Sequence, residues 1–142
     1  MKNIIVALTI MALIPVVSSA SPDNPFSFRS IDGGEIHLDD YKGSAILVTN
    51  TASRCGFTHQ YEALENLHKK YKGKGLVVLA IPSNDFNQEL ATGEKVKEFC
   101  NVNFGLTLPM SEITSVRGRS AHPFYKWLKN EHNFQPNWNF YN

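Results

Sequence analysis

Cysteine is scarce in this 142-residue chain: there are two, Cys55 and Cys100, 45 positions apart. That excludes a disulfide-dense scaffold, and the absence of any Cys-x-x-Cys pair argues against a dithiol exchanger. Charge of one sign is lacking too. The formal net charge is +1 and no run of like charges occurs, so no field attracts nucleic acid or an anionic membrane. Five histidines are present, His37, His59, His68, His122 and His132. None forms a metal-spaced pair with a cysteine or carboxylate, so no metal is expected. No internal repeat occurs. The longest apolar run, Ile4 to Val17, is about 14 residues, short of the ~20 that span a bilayer as a helix.

That run has the form of an export signal. Lys2 precedes it, and Ser18-Ser19-Ala20 supplies the small residues of a cleavage site. Residues 1–20 are expected to be a signal peptide, which makes the protein exported, periplasmic or secreted. Residues 21–142 are then one domain, with 13 basic and 13 acidic side chains. In an exported protein a structural disulfide is the ordinary reading of two cysteines.

The mature part alternates strand and helix. Phe26 to Ser30 and Glu35 to Leu38, around Asp32-Gly33-Gly34, predict a β-hairpin. Ser44 to Thr49 and Leu76 to Ile81 are continuously apolar, the pattern of strands buried on both faces. Between them Tyr61, Leu64, Leu67, His68 and Tyr71 recur at helical spacing, with Thr58 a candidate N-cap and Gly73 and Gly75 the stop. This order implies a parallel β-α-β unit. Glu94 to Phe99 and His122 to Asn130 predict two further helices, Pro123 standing in the first turn of the second. Leu106 to Met110 and Ile113 to Val116 are ambiguous.

Cys55 falls just past the first buried strand and just before the first helix. Backbone N–H groups at a helix start favour an anion, and a thiolate is the nucleophilic form of cysteine. A buried packing cysteine is the ordinary alternative at such a place. The neighbours point further. Asn50-Thr51-Ala52-Ser53-Arg54-Cys55-Gly56-Phe57-Thr58-His59-Gln60-Tyr61 resembles the active-site signature of glutathione peroxidases, with cysteine where many relatives carry selenocysteine. Leu79 to Phe86, then Gln88-Glu89, Phe99-Cys100, His122 to Leu128 and Trp138-Asn139-Phe140 resemble further family segments in the same order. The resemblance runs from Phe26 to Phe140, and such multi-part agreement is specific.

The resemblance implies an α/β, thioredoxin-like fold: a central mixed β-sheet flanked by helices, with an N-terminal hairpin. It implies reduction of hydrogen peroxide and organic hydroperoxides, without a cofactor, by a thiol peroxidase that serves in the response to oxidative stress. Cys55 is then the peroxidatic nucleophile, and Gln88, Trp138 and Asn139 surround its sulfur with N–H donors. Cys100 is implied as a resolving cysteine, reduced by a thioredoxin-like protein or by glutathione; a buried cysteine and a permanent bridge are its alternatives. The segment between Trp127 and Trp138 lacks the extra residues of tetrameric relatives, which implies a monomer or weak dimer. His59 reads as an exposed first-turn residue.

The chain departs from the family pattern twice. Only Asn87 separates Phe86 from Gln88, where most relatives have two residues, so a solvated loop glutamine is the alternative reading of Gln88. Relatives also continue past Trp-Asn-Phe for a strand pair and closing helix, so part of the family fold is expected to be missing, with Trp138 and Asn139 on a fraying end and apolar surface exposed. A truncated, non-catalytic thioredoxin-like remnant or redox-interaction module is the second reading.

Overall fold

The two continuously apolar runs become the centre of the sheet. In the computed structural model, which describes residues 26–141, they form β3 (Ala45–Thr51) and β4 (Leu76–Pro82). The two strands pair in parallel, in a register running from Ala45 opposite Leu76 to Thr51 opposite Pro82. The expected signal peptide lies outside the described residues. Before this pair comes the hairpin of β1 (Ser27–Arg29) and β2 (Glu35–His37), antiparallel with Phe28 opposite Ile36. Its turn needs left-handed backbone at Gly33 and Gly34, with φ of 89° and 74°, which only glycine takes without strain.

Isolated bridges widen the sheet on both edges. Met110 pairs in parallel with Ala80 of β4, and Ser111 pairs antiparallel with Ser30, which ties the hairpin to the sheet. On the far edge Tyr141 pairs antiparallel with Asn50 of β3. The sheet is therefore mixed, as a thioredoxin-like fold requires. Leu106 to Met110, ambiguous in the sequence, supplies a bridge and no named strand.

Side chains alternate across a strand, and β4 shows the consequence. Val78 and Ala80 join one core with Tyr61, Val96, Cys55 and Cys100; Leu79 and Ile81 join the other with Phe28, Val116 and Phe124. Helices α1 (Gln60–Tyr71) and α2 (Gly93–Phe104) cover the first face, and α3 (Pro123–His132) covers the second.

Helix boundaries moved relative to the sequence reading. α1 starts at Gln60, after a run of turns, and Thr58 does not cap it; His59 stands at the N-cap in helical conformation with no side-chain cap bond. α2 runs five residues past the expected end, because the left-handed backbone that stops it comes only at Gly105, with φ of 56°. Thr92 caps its start, accepting from Lys95 N–H at 3.4 Å. α3 is capped by the ring of His122, whose Nδ1 accepts from Phe124 N–H at 3.2 Å.

One apolar groove is open beside β3. A cavity of about 260 Å³ is lined by Ile46, Val48, Phe124, Leu128, Phe134 and Tyr141, among others.

Candidate active site

β3 ends at Thr51, and the chain then folds into consecutive turns in place of an immediate helix. Cys55 N–H reaches Ala52 O at 3.4 Å, Thr58 N–H reaches Cys55 O at 3.2 Å and Gln60 N–H reaches Phe57 O at 2.9 Å. The expectation that Cys55 abuts a helix start is corrected: four residues of turn intervene between it and α1. What faces the sulfur is a turn amide, the Phe57 N–H, at 3.5 Å from Sγ. Cys55 is buried, and Phe57 beside it is exposed. His59 is exposed as well, its Nδ1 lying 3.2 Å from Gly56 O.

The Gln88 loop is stitched to this turn by main chain. Arg54 N–H donates to Gln88 O at 2.8 Å. The shortened loop closes because Asn87 takes left-handed backbone, φ 58°, with its N–H on Asn84 O at 2.9 Å. Asparagine tolerates that region better than other non-glycine residues. Gln88 is thus fixed at both ends.

Trp138, Asn139 and Phe140 are clamped to the end of β3. Asn50 Nδ2 donates to Trp138 O at 2.9 Å, and Phe140 N–H donates to Asn50 O at 2.6 Å. Phe140 has φ of 57°, a strained conformation for an aromatic residue, costing roughly 1–3 kcal/mol. Its ring packs edge-on against Tyr61 at 5.0 Å, which helps hold it there. Asn139 is buried, and its Nδ2 donates to Gln88 Oε1 at 2.9 Å. Trp138 remains 44% exposed, and its ring centroid lies 5.3 Å from that of Phe86, the two rings tilted by 52°.

Three segments distant in sequence, Asn50 to Cys55, the Gln88 loop and Trp138 to Phe140, thereby converge at the end of β3. Matched over residues 24–129, the chain fits the model of the glutathione peroxidase family. The chain belongs to the glutathione peroxidase family. It is an oxidoreductase with the chemistry of a thiol peroxidase. A glutathione peroxidase of Lactococcus lactis is 44% identical over 107 residues, which are 75% of this chain and 68% of that one. A hydroperoxy fatty acid reductase of Synechocystis is 40% identical over 104 residues, 72% of this chain and 62% of that one. The solved structure of Trgpx in its apo form superposes with a TM-score of 0.61 at 34% identity, covering 85% of this chain and 75% of that one.

The second cysteine of this peroxidase lies inside α2, not at its end. Cys100 is 1% exposed and shares a core with Cys55, and both cysteines are free. A permanent disulfide between them is therefore not formed in this conformation. Burial pushes the Cys100 thiol up to about 11. The hydroxyl of Tyr61, itself buried, lies beside it without a hydrogen bond of good geometry. Among the described residues no group of His, Cys, Asp or Glu is arranged to hold a metal ion.

Two residues of the site had escaped the sequence reading. Asn50 was read only as part of a motif, yet it carries the clamp on Trp138 and Phe140. Glu89 was read only as the neighbour of Gln88, yet its carboxylate is buried and accepts from Ser53 N–H at 3.0 Å and Leu90 N–H at 2.7 Å. Its place directly after Gln88 was the available signal.

Proposed function

We propose that Cys55 is the peroxidatic residue, and that Gln88, Trp138 and Asn139 assist it. The carrying observation is the side-chain bond between Asn139 and Gln88, in a loop whose main chain is bound to the residue preceding Cys55. In the first step the Cys55 thiolate attacks one oxygen of ROOH. The S–O bond forms as the O–O bond breaks, and the departing alkoxide or hydroxide takes a proton. The products are Cys55 sulfenic acid and ROH. The Asn139 bond occupies Gln88 Oε1, so Gln88 Nε2 and Trp138 Nε1 are the donors left to stabilise charge on the leaving oxygen.

In the second step the Cys100 sulfur attacks the sulfenic sulfur and water leaves, giving a Cys55–Cys100 disulfide. A bridge needs Cα atoms within about 7 Å, and Cys100 is buried in mid-helix as an un-ionised thiol, so α2 must loosen around it. An external dithiol of the thioredoxin kind, rather than glutathione, then returns both thiols. A glutathione reaction at the sulfenic acid is the competing route. Organic hydroperoxides fit the substrate class, since a relative is named for reducing hydroperoxy fatty acids. The leader pattern of residues 1–20 supports an exported location, in which a membrane-delivered relay would supply the reducing thiol. The short segment between Trp127 and Trp138 supports a monomer or weak dimer.

Mass spectrometry after one equivalent of peroxide tests the scheme, with Cys55→Ser and Cys100→Ser as controls. The wild type should lose two hydrogens as the disulfide, and Cys100→Ser should trap an added oxygen on Cys55. Equal peroxide consumption by Cys55→Ser would remove the catalytic reading and leave a redox-interaction module. Normal turnover of Cys100→Ser with thioredoxin would remove the resolving role.

A further inference from the structure

Glu89 is a buried carboxylate beside the Cys55 turn that the peroxide reaction, as derived above, does not use. It is 5% exposed, and its two oxygens have different fates. Oε1 accepts from Ser53 N–H and Leu90 N–H, so it spans the Cys55 turn and the loop that presents Gln88. The backbone N–H of Glu89 adds a bond to Asn84 Oδ1 at 3.1 Å. Oε2 is wholly buried and has no hydrogen-bond partner among the described residues. An unpartnered carboxylate oxygen in a core is costly, and its persistence calls for a reason.

The pin made by Oε1 supplies one, since the carboxylate cannot bring one oxygen to the two amides without carrying the other into the core. The titratable and charged groups facing Glu89 are Arg54 on the Cys55 turn, Tyr61 on α1 and Cys100 on α2. Burial is the main cause that keeps the Tyr61 hydroxyl and the Cys100 thiol un-ionised, and the Glu89 charge adds a smaller push in the same direction. Burial raises the Glu89 carboxyl itself, while the bonds from Ser53 and Leu90 and the charge of Arg54 pull it back.

We propose that Glu89 is a positioning residue for Cys55: its Oε1 pins the Gln88 loop to the Cys55 turn and so holds Gln88 in place beside Cys55. The inference rests on the assignment of Cys55 and Gln88 made above.

Two variants test this role. Glu89→Gln keeps an oxygen for the Ser53 and Leu90 amides; Glu89→Ala removes it. The readout is the rate of Cys55 oxidation by peroxide in a Cys100→Ser background. There Glu89→Ala should fall at least tenfold, and Glu89→Gln should recover most of the rate. Thermal unfolding confirms that each variant is folded. Equal oxidation rates in Glu89→Ala and the parent overturn the pin, and so does an equal loss in both variants. If Cys55→Ser instead consumes peroxide like the wild type, the cysteine assignment has failed; hydrogen-exchange protection of the Ser53 and Leu90 amides, lost in Glu89→Ala and kept in Glu89→Gln, then still reports on the pin.

Discussion

The amide nitrogen of Asn139 lies 2.9 Å from Gln88 Oε1, joining residues 51 positions apart in the chain. This bond orients the glutamine. With Oε1 occupied, Gln88 is left with its Nε2 hydrogens to donate. In the reaction proposed above Asn139 acts through Gln88, while its own backbone position depends on the Asn50 clamp.

Asn139→Asp should therefore slow the oxidation of Cys55 by about tenfold or more, and it should also lower stability because it buries a carboxylate against an acceptor. The substitution replaces a donor by an acceptor facing Oε1, so Gln88 turns and points its oxygen toward the sulfur. Stopped-flow tryptophan fluorescence, with Trp138 as reporter, measures the rate. A rate within twofold of the wild type would show that the Asn139–Gln88 bond does not orient the donor.

Asn87 should respond to substitution by backbone geometry alone. Its φ of 58° is disfavoured for residues with an ordinary Cβ by roughly 1–2 kcal/mol. Asn87→Ala should lower stability by about 1 kcal/mol and also slow peroxide reduction, because Gln88 follows directly. Asn87→Gly should be stable and active. Urea denaturation together with steady-state peroxidase assays checks both, and an active, fully stable Asn87→Ala would show that the short loop does not need the left-handed turn.

Glu65 carries a pH dependence of stability. Buried on α1, it accepts from Thr107 N–H at 2.8 Å, Thr107 Oγ1 at 2.7 Å and Leu108 N–H at 3.2 Å, and pairs with Lys69 at 3.0 Å. Burial by itself would raise its carboxyl, but these bonds outweigh it and hold the group below its ordinary value of 4.5. The folded value lies below the unfolded one. The stabilisation is therefore complete above the unfolded value and is lost as pH falls through the folded value. Glu65→Ala should cost about 2 kcal/mol at pH 7, since it strands three donors, and less at pH 3. Urea midpoints between pH 7 and pH 3 test the sign; a cost that grows on acidification would reverse it.

Much of the molecule was legible in the chain. β4 is a continuous apolar run because both its faces are covered, and β3 because its side chains line the two cores and the groove beside them, a pattern that survives in one dimension. The helical repeat of Tyr61, Leu64 and His68 was equally plain, because a single stripe of α1 faces the core. Boundaries were less legible. Thr58 reads as a cap, but the turns that follow Cys55 use its N–H for a bond to Cys55 O, and the helix starts later. Glu94 to Phe99 reads as the whole of α2, but apolar spacing does not mark where the chain turns left-handed, and Gly105 does. Asn50 and Glu89 resisted because their partners, Trp138 and Ser53, lie 88 and 36 residues away.

The sequence by itself determined the strand-helix-strand order, the position of Cys55 just beyond a buried strand and the motif segments that mark the family, since each depends on local spacing and residue type. Only the tertiary structure decided that Asn139 holds Gln88, that Asn50 holds Trp138, and that a buried carboxylate joins the Cys55 turn to the Gln88 loop. Those relations depend on which loops meet at the end of β3. That meeting is set by the packing of two helices on one face of the sheet and the third on the other, and no local pattern in the chain encodes it.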